Sequence, residues 1–143
     1  MVLLHSALSG IPVRAAMITA FDTVGPEDPL ELVAGLVLRG SQQDFPVVDD
    51  ERVVGVVTRD GLLRALAEKR ATHAGEIMER DIYVAQASDM LEGAFKKLQE
   101  CACHTVPVLH NDNLAGMLTA ENVGEFLMIQ SARQGRSLAG WRG

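Results

Sequence analysis

The stretch Phe45–Asp60, FPVVDDERVVGVVTRD, returns sixty-one residues later as Val106–Glu121, VPVLHNDNLAGMLTAE. Pro46 falls on Pro107, Val47 on Val108, Gly55 on Gly116 and Thr58 on Thr119, all at one offset and without a gap. Such a repeat constrains the fold more than any local pattern, because both copies must form the same supersecondary unit and stack to bury their apolar faces. Each copy reads as two short strands joined by a turn. A Gly-Val-Val-Thr or Gly-Met-Leu-Thr segment then feeds a helix.

The rest of the chain extends the period. Residues 1–12 form a lead-in closed by Gly10-Ile11-Pro12. Its apolar start has no basic flank, which makes a poor signal peptide. It reads as a first strand or helix packing on the core, or as the continuation of an upstream segment. Residues 13–18 predict one or two helical turns, and Thr23-Val24 a short extended piece. Asp28 is placed as the N-cap of a helix with Pro29 in its first position and Gly40 as its stop. Leu30, Val33, Ala34, Val37 and Leu38 form its apolar face. Strands Phe45–Val48 and Val53–Val57 follow, then a helix from Arg59 to Lys69 burying Leu62, Leu63 and Leu66. The second copy places Met78, Asp89 and Leu91 where the first has Met17, Asp28 and Leu30. Its helix carries Leu91, Ala94, Phe95 and Leu98; its hairpin turns at His110–Asn113; its last helix runs from Ala120 to Ser131 with Val123, Phe126 and Leu127 inward. The organisation is therefore a lead-in (1–12), repeat one (13–70), a short junction, repeat two (74–131) and a basic tail (132–143). The tail is expected to be mobile, with Trp141 either frayed or docking on a partner.

Composition narrows the function. Hydrophobic residues make up 48% of the 143 and aromatics 4%, so the core is aliphatic. A net charge of −6 argues against a protein that binds nucleic acid by neutralising phosphates. Two cysteines, Cys101 and Cys103, make no disulfide framework and suit a reducing, cytoplasmic setting. No apolar run reaches the roughly 18–20 residues that span a bilayer. Cys101-x-Cys103-His104, with His110 or His73, matches no common zinc spacing, and incidental thiols are preferred to a metal site. No P-loop, paired acid–base motif or His-Glu-x-x-His is present, so no catalytic residue is assigned.

These features together resemble a tandem pair of CBS motifs. Each repeat has a Met before a short strand, a capped helix, a Pro-Val hairpin with an acidic turn, and Gly-x-x-Thr opening a helix. The resemblance covers about residues 13–130. It implies an α/β (α+β) fold of two β–α–β–β–α repeats, packed through their sheets about a pseudo-twofold axis with two equivalent clefts between them. It further implies a non-catalytic regulatory module that takes AMP, ADP, ATP or another adenosyl ligand, forms a homodimer, and biases an unidentified effector protein or domain. No cofactor is required and no membrane insertion is expected.

Thr58 and Thr119 sit where a strand ends and a helix begins, so unpaired N–H groups and the positive helix end could hold a phosphate there. The other reading is that each Thr caps its helix. The family pattern places a ribose-binding Asp three residues later. Here that position is Gly61 in one copy and Asn122 in the other, with Asp60 one residue early. Carried over residue by residue, the first cleft would use Thr58, Asp60, Phe21, Thr23, His104 and Thr105. The second would use Thr119, Asn122, Ile82, Tyr83 and Gln43. Asp44 would repel a phosphate at Thr119 and His104 would attract one at Thr58, which makes the first cleft the better phosphate site. The alternative is a structural or dimerisation module with empty clefts, one part of a larger protein such as a site-2-type membrane zinc protease. The missing Asp favours it; the two Thr and His104 favour the sensor.

Overall fold

The computed structural model describes residues 8–100 and 104–134. A 3-10 turn at Val13–Ala15 leads to α1 (Leu30–Arg39), β1 (Phe45–Asp49), β2 (Arg52–Val57), α2 (Arg59–Glu68) and α3 (Ala74–Ile77). The second half holds β3 (Ala85–Gln86), α4 (Leu91–Glu100), β4 (Thr105–His110), β5 (Asn113–Thr119) and α5 (Ala120–Arg133). The predicted α/β fold of two like repeats is the one observed.

The two hairpins match residue for residue. β1 pairs antiparallel with β2 from Phe45–Val57 to Asp49–Arg52, and β4 with β5 from Thr105–Thr119 to His110–Asn113. Each carries an irregularity at the equivalent place, after Val47 and after Val108. Both turns put two residues at positive φ: Asp50 (53°) and Glu51 (67°), then Asn111 (53°) and Asp112 (67°). This two-residue turn suits the twist of the flanking strands. Asn and Asp tolerate the left-handed region, whereas Glu51 is strained there. On the other edge β3 pairs in parallel with β4, and Val24 bridges Val47 in the same sense.

The strands that complete each sheet are exchanged between repeats. Ile18 bridges Met117 in the second hairpin, and Glu79 bridges Val56 in the first. Residues 13–18, which the period assigns to repeat one, thus pack on the sheet of repeat two. Leu8, Val13 and Ala16 join the core of Leu91, Leu98, Val106, Val108, Leu118 and Val123. Ala74, on α3, joins that of Leu30, Val33, Phe45, Val47, Val57 and Leu62. The exchange explains the two hairpin glycines. A Cβ on Gly116 would lie 2.6 Å from Met17 Sδ and 2.9 Å from the Ile18 carbonyl oxygen. On Gly55 it would lie 2.8 Å from Met78 Sδ and 2.7 Å from the Glu79 carbonyl oxygen. The Met and Gly of the repeat are two halves of one contact, made between copies.

Three local expectations need correction. Pro29 occupies the N-cap of α1, and Asp28 caps no helix. Its carboxylate accepts the Gly25 N–H at 2.7 Å, and Asp89 accepts that of Gln86 at 2.9 Å, so both aspartates close the turn before the helix. Leu38 is 85% exposed and Leu63 46% exposed. Each lies about 100° round its helix from an inward neighbour, Val37 or Leu62, and so falls off the buried stripe. Finally, α5 extends to Arg133, so the first residues assigned to the tail are helical. The remainder of the tail with Trp141, the first seven residues, and Cys101 and Cys103 lie outside the described residues.

The short α3 is pinned by an acid. Glu76 Oε1 accepts from the N–H groups of Thr72 (3.0 Å) and His73 (2.9 Å) and from the Thr72 hydroxyl (3.1 Å). These bonds, the backbone pair first, favour the charged form and lower its pKa from 4.5 to about 2. No helix among the described residues is long and apolar enough to cross a membrane.

Candidate functional site

The site begins where β2 and β5 give way to helices. Thr58 and Thr119 both have extended backbone, which turns the strand into the first helical turn. Thr58 Oγ1 accepts the Gly61 N–H at 3.0 Å, and Thr119 Oγ1 accepts that of Asn122 at 3.0 Å. Both threonines are N-caps. At the second end Asn122 closes a capping box: its Oδ1 accepts from Thr119 N at 2.6 Å and from the Thr119 hydroxyl at 3.2 Å. Its Nδ2 donates to the Ala16 carbonyl at 2.7 Å, tying α5 to the exchanged segment. Asn122 is therefore engaged on both sides of its amide. Gly61 can make no such tie.

Between the two ends lies the pseudo-twofold axis. Asp44 and Thr105 are equivalent residues and are the buried polar side chains among those described, 4% and 7% exposed. The Thr105 hydroxyl donates to Asp44 Oδ2 at 2.9 Å, joining the repeats through one buried bond. Asp44 Oδ1 accepts the Arg59 N–H at 3.3 Å. The carboxylate thus sits against the Thr58 end, at the start of α2. Asp44 lines the same cavity as Thr119 and in addition places its carboxylate at the start of the first helix. Gln42 steadies it from behind, donating from Nε2 to the Asp44 and Asp22 carbonyls (2.8 and 2.9 Å) and accepting from Asp22 N (2.8 Å).

Both ends open into one cavity of about 660 Å³. Two separate clefts were expected. One lining instead holds both threonines, with Asp44 and Thr105 between them. Of the residues expected to line the clefts, Phe21, Gln43, Thr58, Asp60, His104, Thr105, Thr119 and Asn122 do line this cavity. Thr23, Ile82 and Tyr83 are not among its lining residues. Tyr83 lies 42% exposed with Lys97 Nζ 5.6 Å from its ring centre. Sequence reasoning passed over Ile18 and Ala20, which only the strand exchange brings here, and Arg59, Glu121 and Glu125. A signal for the last three existed: Arg59 and Ala120 begin the helices, and Glu121 and Glu125 are one helical turn apart on α5.

Carboxylates dominate the electrostatics. Asp44, Asp60, Glu121 and Glu125 line the cavity with Arg59 and His104. Among the described residues no group of three or more His, Cys, Asp or Glu is arranged to hold a metal ion.

A family model for the CBS domain matches residues 13–68 and again 74–128. Among curated proteins, inosine-5'-monophosphate dehydrogenase of Thermoplasma acidophilum is 26% identical over 102 residues, 71% of this chain but only 20% of that enzyme. Among solved structures, the CBS-pair protein CBSX2 from Arabidopsis thaliana superposes with a TM-score of 0.77 at 25% identity, over 87% of this chain and 99% of its own. A structure of CBSX2 in complex with AMP gives a TM-score of 0.74 at 26% identity, over 85% and 99% of the two chains. With both repeats matched, in a fold of two hairpin sheets that trade their edge strands, the chain belongs to the CBS-domain family as a tandem pair.

Proposed function

We propose that this CBS pair is a non-catalytic regulatory module that senses an adenine nucleotide or another adenosyl ligand and passes the change to a partner. The cavity carries the reading. It is lined by the start of α2, the start of α5 and the exchanged segment Ile18–Phe21, so one occupant touches every part whose relation to the others can change. A ligand with different affinities for two arrangements of the repeats shifts the population between them. The AMP complex of CBSX2 supports an adenosyl occupant. The proposed contact set is Phe21, Gln43, Thr58, Asp60, His104, Thr105, Thr119 and Asn122. The dehydrogenase relative is matched over a fifth of its length, and its chemistry is not carried over.

Thermal unfolding with AMP, ADP, ATP, GMP, NADH and S-adenosylmethionine tests the reading. A ligand at about 100 times its dissociation constant adds about 2.7 kcal/mol. Ala20→Trp, a substitution at an exposed cavity-lining position, fills the space and abolishes the shift. The reading fails if no ligand shifts the transition, or if the Trp variant responds as the parent does.

A second reading, an assembly module pairing as a homodimer or bracing an effector, is favoured by Leu32, Leu38 and Leu63. They leave 43%, 85% and 46% of their surface exposed on the adjacent helices α1 and α2. Sedimentation of the parent and of Leu38→Glu distinguishes the two: a ligand-independent dimer that the Glu variant dissociates supports assembly.

A further inference from the structure

Given the adenosyl reading above, on which this rests, we infer that the cavity selects for the charge at the ligand's 5' end: it takes a cationic or uncharged 5'-substituted adenosine and discriminates against free phosphates. Two independent observations lead there. The first concerns the helix starts that would hold a phosphate. Two N–H groups at each of these ends already have acceptors inside the protein. The Arg59 N–H goes to the buried Asp44 carboxylate and the Gly61 N–H to Thr58; the Thr119 and Asn122 N–H groups are consumed by the capping box. A phosphate taking the Arg59 N–H would have to displace a carboxylate that also holds the repeats together through Thr105.

The second observation is the lining. Asp60, Glu121 and Glu125 add three more carboxylates along the wall, and none of them belongs to the ion pairs recorded among the described residues. Arg59 and His104 stand alone against them. Carboxylates accept hydrogen bonds from sugar hydroxyls and attract a sulfonium or ammonium group, but they repel a dianion.

The test is calorimetric titration of the whole chain with three adenosines differing at the 5' end: S-adenosylmethionine (a sulfonium), 5'-methylthioadenosine (uncharged) and AMP (dianionic), the last with and without Mg²⁺. The first two bind at least about tenfold more tightly than AMP. Raising the salt from about 25 mM to about 150 mM weakens the sulfonium and leaves the thioether unchanged. In Glu121→Gln/Glu125→Gln, both exposed positions on α5, the sulfonium and AMP come within about threefold of each other as the field is relieved. AMP binding as tightly as the sulfonium, alone or with Mg²⁺, overturns the charge selection and leaves the adenosyl reading standing. Absence of binding by all three overturns the charge selection, and the adenosyl reading falls with it only if ADP, ATP and NADH also fail to bind.

Discussion

The contact between Met17 and Gly116 makes the strand exchange measurable. Replacing Gly116 by Ala adds one methyl group 2.6 Å from Met17 Sδ, 2.8 Å from Met17 Cγ and 2.9 Å from the Ile18 carbonyl oxygen. Gly116 is not at positive φ, so the objection is space and not backbone conformation. The thioether can swing aside. The carbonyl cannot, because Ile18 and Met117 exchange two backbone hydrogen bonds, of 2.8 and 3.0 Å, at that point. Overpacking of this kind costs about 1–3 kcal/mol. The loss of a flexible glycine from the unfolded chain returns about 0.4–1 kcal/mol. The net expectation is a destabilisation of about 1–2 kcal/mol, read as a lowered urea midpoint at constant slope. Because the strain falls on the exchanged strand, hydrogen exchange should accelerate at the Ile18 and Met117 amides more than at the Val47 or Val56 amides of the other sheet. Adding Met17→Ala to Gly116→Ala removes two of the three close approaches, so the double variant should be less destabilised than the two single costs added together. A Gly116→Ala variant within about 0.5 kcal/mol of the parent, with Ile18 and Met117 protection intact, would refute the account.

Three further outcomes follow from other parts of the fold. Asp44→Ala leaves the Thr105 hydroxyl and the Arg59 N–H without their acceptor at the axis; it should cost about 2–3 kcal/mol in urea unfolding, and a cost below about 0.5 kcal/mol would remove the axis bond from the account. Glu51→Gly relieves a glutamate at φ 67° in the first hairpin turn and should raise stability by about 0.5–1 kcal/mol, whereas an unchanged midpoint would show that the turn stores no strain. Glu76 has a folded-state pKa lowered from 4.5 to about 2, so the stability it contributes is fully present above 4.5 and is lost as the pH falls through about 2. Glu76→Gln should therefore flatten the acid limb of a stability–pH curve; identical limbs in parent and variant would contradict the Thr72 and His73 bonds.

Much of the architecture was legible because it is local. The offset between Phe45–Asp60 and Val106–Glu121 implied two like hairpins, and the apolar periods of α1, α2, α4 and α5 located the helices. The Asp28 misassignment shows the limit of such reasoning. A carboxylate before a helix can accept from the helix or from the turn leading into it, both within reach, and the identity of Pro29 does not decide between them. Leu38 and Leu63 show another limit, since a stripe two residues wide can be drawn on either side of Val37 or Leu62. At the site, the two threonines, Asp60 and His104 were found by their place in the repeat. Glu121 and Glu125 were passed over although their spacing puts them on one face of α5, and Ala20 was missed because only the strand exchange brings it to the same wall.

The sequence by itself determined that there are two copies, what each is built from, and that a Thr starts a helix at the end of each hairpin. It could not determine which copy each edge strand joins. Ile18 meets an equally suitable edge at Val56 and at Met117, since the repeat makes those edges equivalent. Only closure of the whole chain, with Leu8, Val13 and Ala16 filling the second core and Ala74 the first, selects the exchanged pairing. The same closure brings Asp44 onto Thr105 and merges two expected clefts into one acidic cavity. A repeat leaves its own pairing degenerate, and tertiary packing breaks the degeneracy.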